Sequence, residues 1–146
     1  MARMQQVQEP LPELAGLLGG RWQLHALGAS AFCDTWEARH GGDHLFLKSA
    51  AASGADMLQA EADGLRALAA TGTIRVPSVR AVLERPGGGA ILALEWLDFA
   101  RPDAEFGFRF GTSLAALHAH PAPLQPAGFG WTRDNYIGAT PQTARR

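Results

Sequence analysis

The sequence predicts an α+β domain, with an antiparallel sheet of about five strands, one helix packed on a face of that sheet, and a second helix after it. Three observations predict this. Apolar and polar residues alternate in short segments between turns, in the order strand, strand, strand, helix, strand, strand, helix. The stretch His40-Gly41-Gly42-Asp43 is short enough to join only antiparallel neighbours. Hydrophobic residues make up 47% of the 146 and charged residues 18%, which suffices for a core in one domain, or in one domain and part of another.

The first strand spans Arg21 to Leu27, with Trp22, Leu24 and Ala26 on one side. The small residues Gly28-Ala29-Ser30-Ala31 read as a turn, and alternation resumes from Cys33 to Arg39 as the second strand. The third strand, His44 to Ser49, puts His44, Phe46 and Lys48 on one face and Leu45, Leu47 and Ser49 on the other. A helix then starts with Ser53 as N-cap and Asp56 three residues on. It runs to about Ala70 and stops at Gly72. Its apolar stripe is Leu58, Ala62, Leu65, Leu68 and Ala69, with Asp63 pointing away into solvent.

Val76-Pro77 leads into a strand from Val79 to Glu84, and Pro86-Gly87-Gly88-Gly89 turns the chain. Ala90 to Leu97 is a nearly continuous apolar run, which suits a central strand. The second helix begins near Asp103, carries Phe106, Phe110, Leu114 and Leu117 at spacings of four and three, and ends before Pro121. A proline-rich connection, Pro121 to Pro126, leads into the polar and aromatic loop Gly128 to Gln142. No internal repeat is visible. The expected division is an N-terminal segment at 1–20, a sheet unit with its closing strand at 21–98, and the start of a further lobe at 99–146.

Composition narrows the function. A formal net charge of −1 argues against a nucleic-acid partner held by a basic face. No apolar run approaches the roughly 18 residues that span a bilayer. The N-terminus has no charged stretch followed by a sustained apolar one, so a secretory signal is not expected. The single cysteine, Cys33, excludes an internal disulfide and suits a reducing, cytoplasmic setting as a partly buried free thiol. His118 and His120 form His-x-His at a helix end, where i and i+2 do not face the same way. A shared metal is not expected there, and His118 reads as a packed residue anchoring the helix. Arg133 and Asp134 fit a surface pair.

Lysine usage is sharper. Of the 13 basic residues 12 are arginine, and Lys48 alone is lysine. Arginine is a planar fork and lysine a compact point charge on a flexible stem, so a site that needs the ammonium cannot take the guanidinium. Glu61, 13 residues later, sits within the apolar stripe of the first helix, where a carboxylate needs a partner. A strand lysine facing a helix glutamate beside a turn of small residues is an arrangement used in phosphoryl transfer. There the lysine holds the α- and β-phosphates of ATP and the glutamate fixes the lysine. A surface lysine and a glutamate at the rim of the stripe fit the same pattern. The turn Leu27 to Phe32 would cover the phosphates, although with one glycine it departs from G-x-G-x-x-G and equally fits a plain hairpin. At Glu95-Trp96-Leu97-Asp98 backbone groups could meet an adenine edge beside Trp96 or Leu97, or the stretch is simply a strand end.

Six pieces in order resemble the N-terminal part of the fructosamine kinase (ketosamine-3-kinase) family, which has a protein-kinase-like fold. They are "HLFLKS", "AEADGLRAL", "IRVPSV", "LALEWL", "FGTSLAALH" and "FGWTRDNYIGATPQ", and they extend over roughly Gly20 to Gln142. The resemblance implies a kinase N-lobe, a hinge and the start of a C-lobe. It implies ATP-dependent phosphorylation of the sugar hydroxyl of a ketosamine, free or on a glycated protein, as a deglycation repair step. It further implies a nucleotide site containing Gly28, Ser30, Lys48, Glu61, Glu95, Trp96 and Leu97, and a substrate-cleft loop containing Asp134 and Asn135. Magnesium would accompany ATP. The family places its catalytic aspartate and metal ligands in a His-Gly-Asp-x-x-x-x-Asn motif of the C-lobe, and no His-Gly-Asp occurs in this sequence. The chain alone is therefore expected to lack the base and the metal ligands and to be inactive. Two alternatives stay open: a degenerate kinase-like module that binds a partner or pairs with itself through its C-lobe-facing surface, and another small-molecule kinase of aminoglycoside phosphotransferase type.

Overall fold

The structure, a computed structural model, describes residues 11–121, 131–138 and 140–144. The connection beyond Pro121 and the start of the predicted loop, Gly128 to Gly130, lie outside the described residues. A five-stranded antiparallel sheet in the order β1-β2-β3-β5-β4 dominates the fold. Its strands are β1 (Gln23–Ala29), β2 (Asp34–His40), β3 (Asp43–Ala50), β4 (Val79–Glu84) and β5 (Ala90–Glu95). Among the described residues three helices accompany it: α1 (Leu14–Leu18), α2 (Ala52–Ala70) and α3 (Phe106–Ala119). A small hairpin, β6 (Asn135–Ile137) with β7 (Thr140–Gln142), follows. Among the described residues no helix is long and apolar enough to cross a membrane.

The predicted α+β architecture is present, and β3 is its middle strand. Gly41 and Gly42 close the β2–β3 hairpin between the paired His40 and Asp43, and Gly41 takes a φ of +57° that glycine adopts without strain. β5 is buried at five consecutive positions, Ala90 to Leu94, because both faces of the sheet are covered. On one face Leu92 and Leu94 join Leu58 and Ala62 of α2. On the other, Leu47, Ile91 and Ala93 meet Leu11 and Leu14. Full burial of Leu47, Ile91 and Leu92 contributes about 1.5–3 kcal/mol each. Ser49, the one buried polar side chain among the described residues, accepts a hydrogen bond from the Trp36 indole at 3.0 Å.

Several expectations need correction. β1 begins at Gln23 and runs on through Gly28 and Ala29, because a bulge at Leu27 lets the strand continue past the residues read as a turn. β2 starts at Asp34, and the turn itself is Ser30 to Cys33. Ser53 does not cap α2. β3 persists to Ala50, so extended Ala51 is the boundary and Ser53 already lies in the first turn. Leu68 and Ala69 leave the packed stripe: both are exposed and belong to neither core cluster. β5 ends at Glu95, two residues before Leu97. Asp103 lies before α3, where its carboxylate accepts the Glu105 N–H at 3.0 Å. His118 is exposed, not packed. The short helix α1 and the β6–β7 hairpin had no counterpart in the sequence reading. Glu13 pairs with Arg85 and ties α1 to the end of β4.

Candidate functional site

Lys48 sits in the middle strand, across from Thr35 of β2 and Leu92 of β5. Its face is the one that α2 covers. Its Nζ donates to Glu61 Oε2 at 2.5 Å, so the expected strand–helix pair is formed. The side chains are 22% and 34% exposed, and an ion pair so open to water contributes at most about 1 kcal/mol to folding. Its effect is positional: an ammonium is held at a fixed point of the sheet with water still able to reach it.

The ammonium opens into a cleft of about 400 Å³ that Ser30, Cys33, Lys48, Glu61, Asn135 and Tyr136 help to line. Four of the sequence-predicted residues, Ser30, Lys48, Glu61 and Asn135, therefore share one cavity. Ser30 orders the turn above it. Its hydroxyl oxygen accepts the N–H groups of Phe32 at 3.2 Å and Cys33 at 3.1 Å, and its hydroxyl donates to the Cys33 carbonyl at 3.1 Å. Gly54 brings α2 up to this turn: a Cβ on it would stand 2.8 Å from the Phe32 carbonyl oxygen. The free thiol of Cys33 is half-buried and 3.7 Å from the Ser30 hydroxyl.

A second cleft, of about 390 Å³ and mostly apolar, lies between Leu27 of β1, Phe46 of β3, Pro77, Leu94, and the segment Glu95 to Leu97 with Phe99. Phe46 is two residues from Lys48 on the same strand face, about 6–7 Å along β3. The two clefts thus follow one another along that face. Trp96 is fixed on two sides. His44 stacks on its ring with centroids 4.3 Å apart, and its indole N–H donates to Asp98 at 3.1 Å. His44 is itself held by Glu37 at 2.8 Å, and the hydrogen bonds from Arg39 and His44 keep the Glu37 carboxyl below its ordinary range.

Three expected residues take other parts. Gly28 lies within β1, its carbonyl accepts the Thr35 hydroxyl at 3.2 Å, and it lines neither cleft. Glu95 reaches the second cleft, but its carboxylate is occupied by the Ser78 N–H and hydroxyl, both at 3.1 Å, and by Arg75 at 2.6 Å. The Ser78 backbone bond foremost holds that carboxyl low. Asp134 accepts the Ala144 N–H at 2.8 Å and stays outside the cleft, while Asn135 turns its Oδ1 back to the Tyr136 N–H at 2.9 Å.

Sequence reasoning missed the residues that attach the C-terminal loop to α2. Arg133 pairs not with Asp134 but with Asp56 and with Asp63, the latter at 2.8 Å. Asp63 is therefore an anchor, where a solvated residue was expected. The Tyr136 hydroxyl donates to Asp56 at 2.8 Å. The available signal was the spacing Asp56, Ala60, Asp63, which repeats at i, i+4, i+7 the period of the apolar stripe Leu58, Ala62, Leu65. Among the described residues no three carboxylate, histidine or cysteine side chains converge as a metal site.

The fructosamine kinase family model matches residues 16–146. Over 103 residues the chain is 47% identical to a "Probable ketoamine kinase" of Synechocystis sp., covering 70% of this chain and 33% of that protein. It is 38% identical over 98 residues to the chloroplastic protein-ribulosamine 3-kinase of Arabidopsis thaliana, covering 67% of this chain and 29% of the relative. A crystal structure from Haemophilus somnus 129PT, assigned as a fructosamine-3-kinase, superposes with a TM-score of 0.73 at 25% identity over 90% of this chain and 44% of that one. The chain thus spans about a third or less of the length of these curated relatives. The sheet, its packed helix and the segment after β5 have the architecture of the protein-kinase-like fold.

Proposed function

The chain belongs to the fructosamine kinase family, and on that premise we propose that it grips ATP for phosphorylation of the sugar hydroxyl of a ketosamine. The observation that carries this reading is the Lys48–Glu61 pair at the mouth of a polar cleft, one strand step from an apolar one. The apolar cleft suits a flat base between Leu27 and Leu94, with Trp96 and Leu97 presenting backbone beyond the end of the β5 ladder. The polar cleft suits phosphates: Lys48 supplies the point charge, Glu61 fixes its position, and the Ser30 turn closes over it.

ATP when bound supplies the phosphoryl group that is transferred. The residues of this chain bind and orient it, and the reading assigns none of them as the base that takes the proton from the sugar hydroxyl. Magnesium belongs to the proposal, with no ligand for it assigned among the described residues. The acceptor is proposed as a ketosamine, free or on a glycated protein, and the setting as cytoplasmic, supported by the single free thiol.

Equilibrium titration with ATP and magnesium tests this. The wild-type chain binds, and Lys48→Met weakens binding about tenfold or more with the circular dichroism spectrum unchanged. Equal affinity of the two proteins, or no binding by the wild type, overturns the reading. A second reading, a self-associating module, is favoured by Phe99, Phe106, Phe108 and Phe110, which are 93%, 47%, 79% and 47% exposed. Sedimentation velocity over a concentration series decides it, since a strictly monomeric chain refutes self-pairing.

A further inference from the structure

We infer that Arg133 is a positioning residue, which acts through helix α2 to hold the Glu61 carboxylate at Lys48. The inference rests on the ATP-gripping reading above. Its basis is how α2 is held. The stripe Leu58, Ala62 and Leu65 packs on the sheet. The stripe Asp56, Ala60 and Asp63 has the same i, i+4, i+7 spacing, and at 100° per residue it lies about 160–200° around the helix from the first. Ala60 and Ala62, the neighbours of Glu61, are 2% and 0% exposed, so the helix is covered on two opposed sides at the level of Glu61. Glu61 projects between these two covered sides.

The segment around β6 contacts α2 on the second side, and Arg133 fastens it. One guanidinium nitrogen bonds Asp56 and another bonds Asp63 at 2.8 Å, two helical turns along the same stripe. The Tyr136 hydroxyl adds a third bond, to Asp56. A planar fork can bridge two carboxylates in this way, whereas a lysine has one charged nitrogen to offer. The segment that Arg133 holds also supplies Asn135, Tyr136 and Gly138 to the wall of the Lys48 cleft. With the clamp removed, the sheet still holds one side of α2, while the other side keeps only the Tyr136 bond, so the rotation that brings Glu61 to Lys48 is less firmly fixed.

The test is a double-mutant cycle on the full chain with ATP and magnesium as the probe, joined to hydrogen exchange of the α2 amides. Arg133→Ala is expected to weaken ATP binding about tenfold, a coupling of ordinary size for residues linked through a backbone shift. Arg133→Lys is expected to fall between it and the wild type. In a Lys48→Met background Arg133→Ala is expected to have no further effect on affinity, because its action passes through that lysine. Additive losses would overturn the inference, and so would an Arg133→Ala chain that binds ATP as the wild type does. A purely stabilising role would lower Tm without moving affinity. If the wild-type chain binds no ATP, the nucleotide reading falls and exchange decides Arg133 separately. Faster exchange around Glu61 in Arg133→Ala supports the clamp, and unchanged exchange overturns it.

Discussion

Helices α2 and α3 carry apolar residues at the same helical spacing and meet opposite fates. α2 is covered by the sheet on one side and by the β6 segment on another, and buries Gly54, Leu58, Ala60 and Ala62. α3 has no buried residue, and Phe106 and Phe110 stack on each other with half their surface in water. Periodicity therefore shows that a helix has an apolar face, but not what covers it. Covering is also what turns a charged residue into a positioned one. Glu61, between the two covered sides of α2, has its lysine, whereas Asp103 and Arg109 at the start of α3 form a pair that is more than half exposed.

The largest effect that would break this contrast is expected in the covered helix. Leu58, 3% exposed, contacts β-sheet residues of its cluster, and Leu58→Ala removes about 2–5 kcal/mol of stability through lost burial and a residual cavity. Urea unfolding followed by tryptophan fluorescence measures it. A loss below about 1 kcal/mol would mean that α2 is no better anchored than α3.

A smaller effect reads the other side of α2 through pH. The hydrogen bond from Arg133 holds the Asp63 carboxyl below its ordinary range, against the partial burial that pushes it up. A depressed folded pKa stabilises the fold above the unfolded value of about 3.9, and this contribution disappears as pH falls through the lower folded value. Asp63→Asn should therefore cost up to about 1 kcal/mol at neutral pH, and the difference from wild type should close below about pH 4. Thermal melts of both proteins across that range test the sign. A difference that persists unchanged at pH 2–3 would show that Asp63 acts through something other than its charge on Arg133.

Much of this was legible in the sequence, for reasons that differ by residue. The five strands announced themselves because alternation and Gly-rich turns are local signals. Lys48 and Glu61 stood out because one is the lone lysine and the other a carboxylate inside an apolar stripe. The α1 contact escaped because a five-residue helix holds too few turns to show a period, although Leu11 and Leu14 complete the outer core. The Arg133 clamp escaped because its partners lie 70 and 77 residues away. The Asp56, Ala60, Asp63 spacing marks one half of the contact but not its distant partner, and an adjacent Asp134 offered a nearer but wrong one. Gly28 was misplaced because a bulge, invisible to alternation, extends β1 past a run of small residues.

The smallest expected effect on folding lies on α3 and probes the other half of the contrast. Phe108 is 79% exposed and belongs to no buried cluster among the described residues. Phe108→Ser removes no core contact, so stability should stay within about 0.5 kcal/mol of wild type. Folding and association then separate cleanly. If α3 serves as a contact surface, Phe108→Ser leaves the unfolding midpoint in place while shifting the sedimentation coefficient toward the monomer. If the stability itself drops by several kcal/mol, α3 is packed in solution, and the difference between the two helices is one of degree. The same substitution made at Leu58 would lower the midpoint first and could not ask the question, because there the apolar face is already covered.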